Sequence, residues 1–326
     1  MNTPTKLGAF GLGLAVVFTA ALGLGRTVGP TTTPAGTAAH DQHNEPAQDA
    51  AVAALPAGLQ VTQDGYRLQP ISTDLAVGEA KPFQFRILGP DDKPVTDYTI
   101  SHDKDLHLIV VRRDLSGFQH VHPELAADGT WSIPLAVAAP GQYRVFADFQ
   151  PDGGADGLTL GADVPAAGDY QPRPLPVAER TTTVDGYTVT ITGDLVPGGS
   201  SQVTLSVSKD GTPVTDLQPY LGAYGHLVAL RDADLAYVHV HPDGEPGDGR
   251  TAAGPDIVFH ADVPSTGNYR LYLDFQHNGT VRTAEFTANA GTLLPQASAR
   301  ADIPAPAAPS AAPSASKHDA DGHTHD

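Results

Sequence analysis

The chain has 326 residues, with 19 Lys and Arg against 37 Asp and Glu, a formal charge of −18. That balance disfavours nucleic acid and anionic lipid, which need a basic surface, and suits cations. There is no Cys and the one Met is Met1, so disulfides, thiolate sites and a soft Cu(I) site built on sulfur are excluded. Any metal must be held by His, carboxylate or backbone oxygen.

In chain order, Lys6 precedes 19 uncharged, mostly apolar residues, Leu7 to Gly25, and Arg26 closes the run. A spanning helix needs about 20 residues, whereas a cleavable signal has a shorter apolar region. Length favours a signal-anchor over residues 1–26, with a cleaved signal peptide as the alternative. Either places the remaining chain at the extracytoplasmic face of the cell membrane or outside the cell. Residues 27–55, rich in Ala, Thr, Pro and Gln, read as a flexible spacer.

An internal repeat follows. "DGYRLQP" at Asp64 returns as "DGYTVTI" at Asp185, "KPVTD" (93–97) as "TPVTD" (212–216), and "HLIVVRRDLSGFQHVHP" (107–123) as "HLVALRDADLAYVHVHP" (226–242). "GQYRVFADFQ" (141–150) returns as "GNYRLYLDFQ" (267–276). From Pro94 to the His-x-His-Pro motif the register between copies is 119, and after it 126, so copy two carries seven extra residues there, in or near "DGEPGDGRTAAG". An insertion there marks a loop. "FQFRIL", "HLIVV", "QYRVFADF" and "QVTLSVS" alternate with period two and are rich in β-branched or aromatic residues. "PDDKP", "KDGTP", "HNGTV" and "PGGS" punctuate them as turns. The expected fold is all-β: two tandem β-sandwich repeats, 56–173 and 182–290, joined by a linker at 174–181. Immunoglobulin-like and cupredoxin-like topologies fit the strand pattern equally. Residues 291–326 read as a disordered Pro- and Ala-rich tail with a His-rich end.

Nine of the fourteen histidines lie in the repeats. His107, His120 and His122 recur at the same spacing as His226, His239 and His241. His120 and His122 are i, i+2 on an extended segment and leave one face. "DLSG" (114–117) reads as the turn of a hairpin. Pairing Arg113 with Phe118 makes His107 a diagonal neighbour of His122, and a shift of one pair sets them directly opposite. Each triad can therefore converge as three nitrogen ligands for Zn(II) or Cu(II). The same histidines could instead hydrogen-bond to loop carbonyls as structural elements. Asp148 and its counterpart Asp274 are candidates to orient a ligand from behind. His102, His260 and His277 have no His counterpart and read as surface residues. The tail histidines His318, His323 and His325, interleaved with Asp, suit weak metal collection, and "HDQH" (40–43) echoes them.

The 107–123 motif, followed by "GQYRVFADF", resembles a largely uncharacterised family of bacterial envelope proteins. These carry an H-L-x-V-V-x-x-D-L-x-x-F-x-H-x-H-P signature on β-sandwich domains and are associated with heavy-metal, especially copper, handling. The resemblance covers both copies, roughly 60–165 and 182–289, and implies metal positions at His107, His120, His122 and at His226, His239, His241. Copy two departs from it with "LRDADLAY" but keeps its three histidines.

Three functions compete. The first is a tethered or secreted protein that binds Cu(II) or Zn(II) and catalyses nothing. The second is an immunoglobulin-like interaction or structural module of the envelope, with "DGEPGDGRTAAG" as contact loop, another envelope protein as partner and structural histidines. The third, an enzyme, lacks G-x-S-x-G, H-E-x-x-H, a thiol and an evident general base, and is disfavoured.

Overall fold

The computed structural model describes residues 55–153 and 157–291. The expected anchor, the spacer up to residue 54, and the tail with His318, His323 and His325 lie outside the described residues. Among the described residues every regular element is a strand, and no helix is long and apolar enough to cross a membrane.

The first repeat comprises β1 (Thr62–Gln63), β2 (Tyr66–Pro70), β3 (Lys81–Leu88), β4 (Leu106–Arg112), β5 (Gln119–Val121), β6 (Glu124–Leu125), β7 (Thr130–Leu135), β8 (Gly141–Phe149) and β9 (Leu158–Ala166). The second comprises β10 (Thr181–Val184), β11 (Tyr187–Thr192), β12 (Gly199–Lys209), β13 (Thr212–Pro213), β14 (Gly225–Arg231), β15 (Tyr237–Pro242), β16 (Asp256–Val263), β17 (Gly267–His277) and β18 (Thr280–Ala290). This is the all-β pair of sandwich repeats that the sequence leads one to expect.

In the first repeat a sheet ordered β1-β2-β3-β7-β6 faces one ordered β5-β4-β8-β9. In the second the path is unbroken, β10-β11-β12-β16-β15-β14-β17-β18, with β13 on β12. The difference is local. β15 pairs with β14 through Val238 and Tyr237 and then with β16 from His239 to Pro242, so one strand joins both sheets. The corresponding stretch of the first repeat is divided at His122–Pro123: β5 stays with β4, and β6 crosses to β7.

Each repeat has its own core. Phe85, Trp131, Tyr143 and Leu160 belong to the first, and Tyr187, Phe259, Tyr269 and Phe286 to the second. A third cluster lies between the repeats: Ile109, Val111, Leu115, Phe146, Val228, Leu230, Leu235 and Tyr272. This explains why β4 does not follow the half-exposed alternation expected for "HLIVV". Its residues are buried throughout, Leu108 and Val110 in their own core and Ile109 and Val111 against the other repeat. A strand covered on both faces needs a continuous apolar run.

The third cluster has an approximate two-fold plan. Phe118 stacks on Tyr272, with ring centroids 3.9 Å apart. Their counterparts, Tyr237 and Phe146, pack across the boundary in the opposite sense at 5.6 Å. The aromatic that precedes each His-x-His-Pro motif is thus an anchor into the other repeat.

Candidate metal centre at the repeat boundary

The hairpin between β4 and β5 closes with the Arg112 amide donating to the Ser116 carbonyl, and Leu115 turns through a φ of +63°. Asp114 fixes this turn. It accepts from Ser116 through backbone and side chain and pairs with the buried Arg112 guanidinium at 2.6 Å. The resulting register sets Ile109 opposite His120. It is one pair away from the register set by Arg113 and Phe118, and it carries His107 to the position facing His122. Residues 107, 109 and 111 point to the boundary between repeats, and His120, opposite Ile109, points the same way.

The three rings meet there. His107 Nδ1 lies 3.0 Å from His120 Nε2 and 3.1 Å from His122 Nε2. One nitrogen from each ring falls within 4.8 Å of the others. The ring centroids are 5.2 Å apart for His107–His120, 4.9 Å for His107–His122 and 5.0 Å for His120–His122. Imidazoles about 2.0–2.1 Å from a tetrahedral ion place their ligand nitrogens about 3.3 Å and their ring centres about 5 Å apart. All three ring pairs and the two nitrogen pairs that include His107 already have nearly those dimensions.

Hydrogen bonds behind the rings assign their protons. His107 Nε2 lies 3.0 Å from the Ser101 carbonyl, which can only accept, so Nε2 carries the hydrogen. Burial, with His120 alongside, pushes the His107 pKa down to about 3, so the ring is neutral and Nδ1 is a bare lone pair. His120 donates from Nδ1 to Asp274 Oδ2 at 2.9 Å, which turns Nε2 inward. Asp274 is itself held, accepting from the Thr283 hydroxyl at 2.5 Å. A carboxylate behind a ligand ring is the arrangement that fixes the tautomer and raises basicity at metal sites. The His122 pKa falls to about 4, first through burial, then through His120 and Lys104, with Asp274 opposing. Bare lone pairs 3.0 Å apart repel, and a proton or a cation between them removes the repulsion. One divalent ion would serve all three nitrogens at once.

Asp274 belongs to the second repeat, so the support for the triad crosses the boundary. Asp148, the corresponding residue of the first repeat, sits opposite His107 in the β4–β8 pair and accepts from Thr159 at 3.2 Å.

The second set of histidines is placed differently. His226 is buried and donates from Nε2 to the Tyr220 carbonyl at 2.8 Å, repeating the bond from His107 to Ser101. Burial lowers its pKa to about 4. His241 is exposed and lies opposite His260 in the β15–β16 pair. His239 is on β15 opposite Asp262, and its side chain lies outside the described residues. Among the described residues only the first triad brings three such ligand atoms together.

The three unmatched histidines also separate. His260 is exposed, as expected. His277 is not a surface residue: it is buried, with Nδ1 at 2.7 Å from the Tyr187 hydroxyl and Nε2 at 3.1 Å from Asp216. Its strand ends against the second core, which covers the ring. His102 is exposed, but its ring stands 5.3 Å from His226 and 6.0 Å from His107, within the imidazole cluster. Sequence spacing gave it no credit because it lacks a His counterpart; its place five residues before His107, on a short turn, was the signal.

Two facing sandwiches with histidines on the shared face define a tandem-repeat β protein whose candidate centre needs both copies. The chain belongs to the family described as a domain of unknown function, DUF8832, which matches residues 60–170 and 182–292. No curated protein matches it. Among solved structures, a membrane anchored protein of Corynebacterium diphtheriae is 10% identical, with a TM-score of 0.22 over 72% of this chain and 60% of that one. The D0–D1 domain of intimin is 12% identical, with a TM-score of 0.20 over 68% of this chain and 96% of that one. Domains 4–9 of the surface layer protein SbsC are 14% identical, with a TM-score of 0.20 over 69% and 31%. Likenesses at these scores carry no argument about function.

Proposed function

We propose that the chain is an extracytoplasmic, non-catalytic protein that binds a divalent metal, Cu(II) or Zn(II). The carrying observation is the convergence of His120 Nε2 and His122 Nε2 on His107 Nδ1, at 3.0 and 3.1 Å, with all three nitrogens within 4.8 Å of one another and Ser101 and Asp274 fixing two of the tautomers from behind. Nitrogen ligands with no thiolate or thioether suit these borderline ions and not Cu(I). The repeat extends the reading to His226, His239 and His241 as a second ligand set. The terminal histidines, His318, His323 and His325 among them, act as weak collectors. Location rests on the apolar run before Arg26. Catalysis is not part of this reading, because Asp274 is committed to His120 and Thr283 and does not stand ready as a general base.

The second reading is an envelope interaction module with structural histidines. The paired bonds from His107 to Ser101 and from His226 to Tyr220 favour it, since each closes the turn before its strand. The 243–254 loop would be the contact surface; Asp248 organises it by accepting from Arg250, Thr251 and Glu245.

Calorimetric titration separates the two. Cu(II) or Zn(II) is added at pH 7.4 to the full chain with His40, His43, His318, His323 and His325 replaced by Asn. One site of micromolar or tighter affinity that is lost in His122→Ala, with Tm unchanged, is expected. Binding indifferent to His122→Ala, or a Tm loss without any bound ion in the parent, returns the histidines to the scaffold.

A further inference from the structure

We infer that His226 and His102 form a second divalent-ion subsite beside the triad, so that one two-ion centre straddles the repeat boundary. This rests on the reading of His107, His120 and His122 as ligands. The His102 and His226 rings are 5.3 Å apart and perpendicular. That is the ring spacing of the triad pairs, and it suits two imidazoles sharing one ion. His226 lies 6.0 Å from His120 and 6.5 Å from His107, too far to complete the first ion's shell and close enough to hold a neighbour. Its Nε2 hydrogen is committed to Tyr220, so its available lone pair is on Nδ1. A cavity of about 60 Å³ is lined by His102, His107, His120, His226 and Asp148, giving the second ion room and an acidic neighbour. Asp274, opposite His226 in the β14–β17 pair, adds negative charge on the same face.

The turn itself does not ask for His102. His102 has a φ of +49°, and the matching Leu221 of the second repeat has +53°. The bridges Ser101–Lys104 and Tyr220–Ala223 close the two turns alike. One backbone shape therefore forms with Leu or with His. Only the first repeat exposes an imidazole there, at the mouth of the shared face. His102 is then the solvent-side ligand, and His226 the buried one.

Cu(II) is the probe, added to the full chain with the five terminal histidines replaced by Asn and followed by bound stoichiometry and electron paramagnetic resonance. Two Cu(II) per chain with a dipolar-coupled signal are expected. His102→Asn, whose side chain tolerates a left-handed φ, should leave one Cu(II) per chain with an uncoupled signal. A coupled signal unchanged in His102→Asn overturns the subsite. So does a parent with a single ion, or with two uncoupled ones, although both leave the triad reading in place. A parent that binds no Cu(II), or whose binding ignores His122→Ala, removes the triad and this subsite together.

Discussion

The two copies of one motif end up in different chemistry. In the first repeat the chain breaks its pairing at His122–Pro123, and His107, His120 and His122 close around a point. In the second, β15 runs on to β16, and His241 lies exposed on its far end while His226 stays buried beside its neighbour's triad. Retaining three histidines at fixed spacing preserved the strands. Whether the rings meet depends on how the next few residues pair, and on the carboxylate that the other repeat supplies. A duplicated motif is therefore better read as two halves of one interface than as two copies of one site.

Acid should strain that interface most. Burial favours the neutral rings of His107, His122 and His226, so the folded state binds fewer protons than the unfolded chain. Stability from this source is complete above about pH 6.5 and is lost as pH falls toward 4, by roughly 1–2 kcal/mol by pH 5 for each of the buried His107 and His226 and by less for the half-buried His122, which solvent screens. Denaturant unfolding in the presence of a chelator at pH 7 and pH 5 measures it. His226→Phe should remove the smaller share of the loss, because the first repeat contributes two of the three rings. Equal stability at both pH values would contradict the buried, neutral assignment.

The next contrast is between His107→Ala and His226→Ala. Each leaves a turn carbonyl without its donor, at about 1–3 kcal/mol. Their metal affinities should part: His107→Ala is expected to weaken the tightest Cu(II) or Zn(II) site at least 100-fold, and His226→Ala to leave it within a few-fold. Matching losses in the two variants would make the repeats equivalent and defeat the comparison. Asp274→Asn follows. It keeps the shape, removes the charge behind His120, and should weaken the same site about 10- to 100-fold although it lies in the other repeat.

Much of this was legible in the sequence. The duplication and the strands follow from period-two runs and turn residues, and the 119-residue register picks out the histidines. The i, i+2 spacing correctly sends His120 and His122 to one face. What escaped depends on contacts between repeats, for which a single chain offers no local signal. The continuous apolar run Leu108–Val111 was the one available hint that β4 is covered twice. The partnership of Asp274 with His120 joins residues 154 positions apart and needs the docked pair. His277 escapes for a different reason: its partners, Tyr187 on β11 and Asp216 after β13, lie in its own repeat but far away in sequence.

The smallest effect tests the docking itself. Tyr272 and Phe146 are corresponding residues, and each packs under the aromatic that precedes the other repeat's motif. Only Tyr272 has a hydroxyl, and it donates to the Leu115 carbonyl at 2.6 Å, in the turn that sets the register of the triad hairpin. Tyr272→Phe makes the two positions alike while keeping the stack on Phe118. It leaves a carbonyl at the tip of the hairpin without a partner, for about 1 kcal/mol of stability. Because the lost bond holds the hairpin and not a ligand, the Tm should fall by a few degrees while metal affinity changes less than in Asp274→Asn. If affinity instead fell as far as in Asp274→Asn, the hydroxyl would be setting the geometry of the rings, and the asymmetry between the repeats would begin at Tyr272 and not at the break after His122.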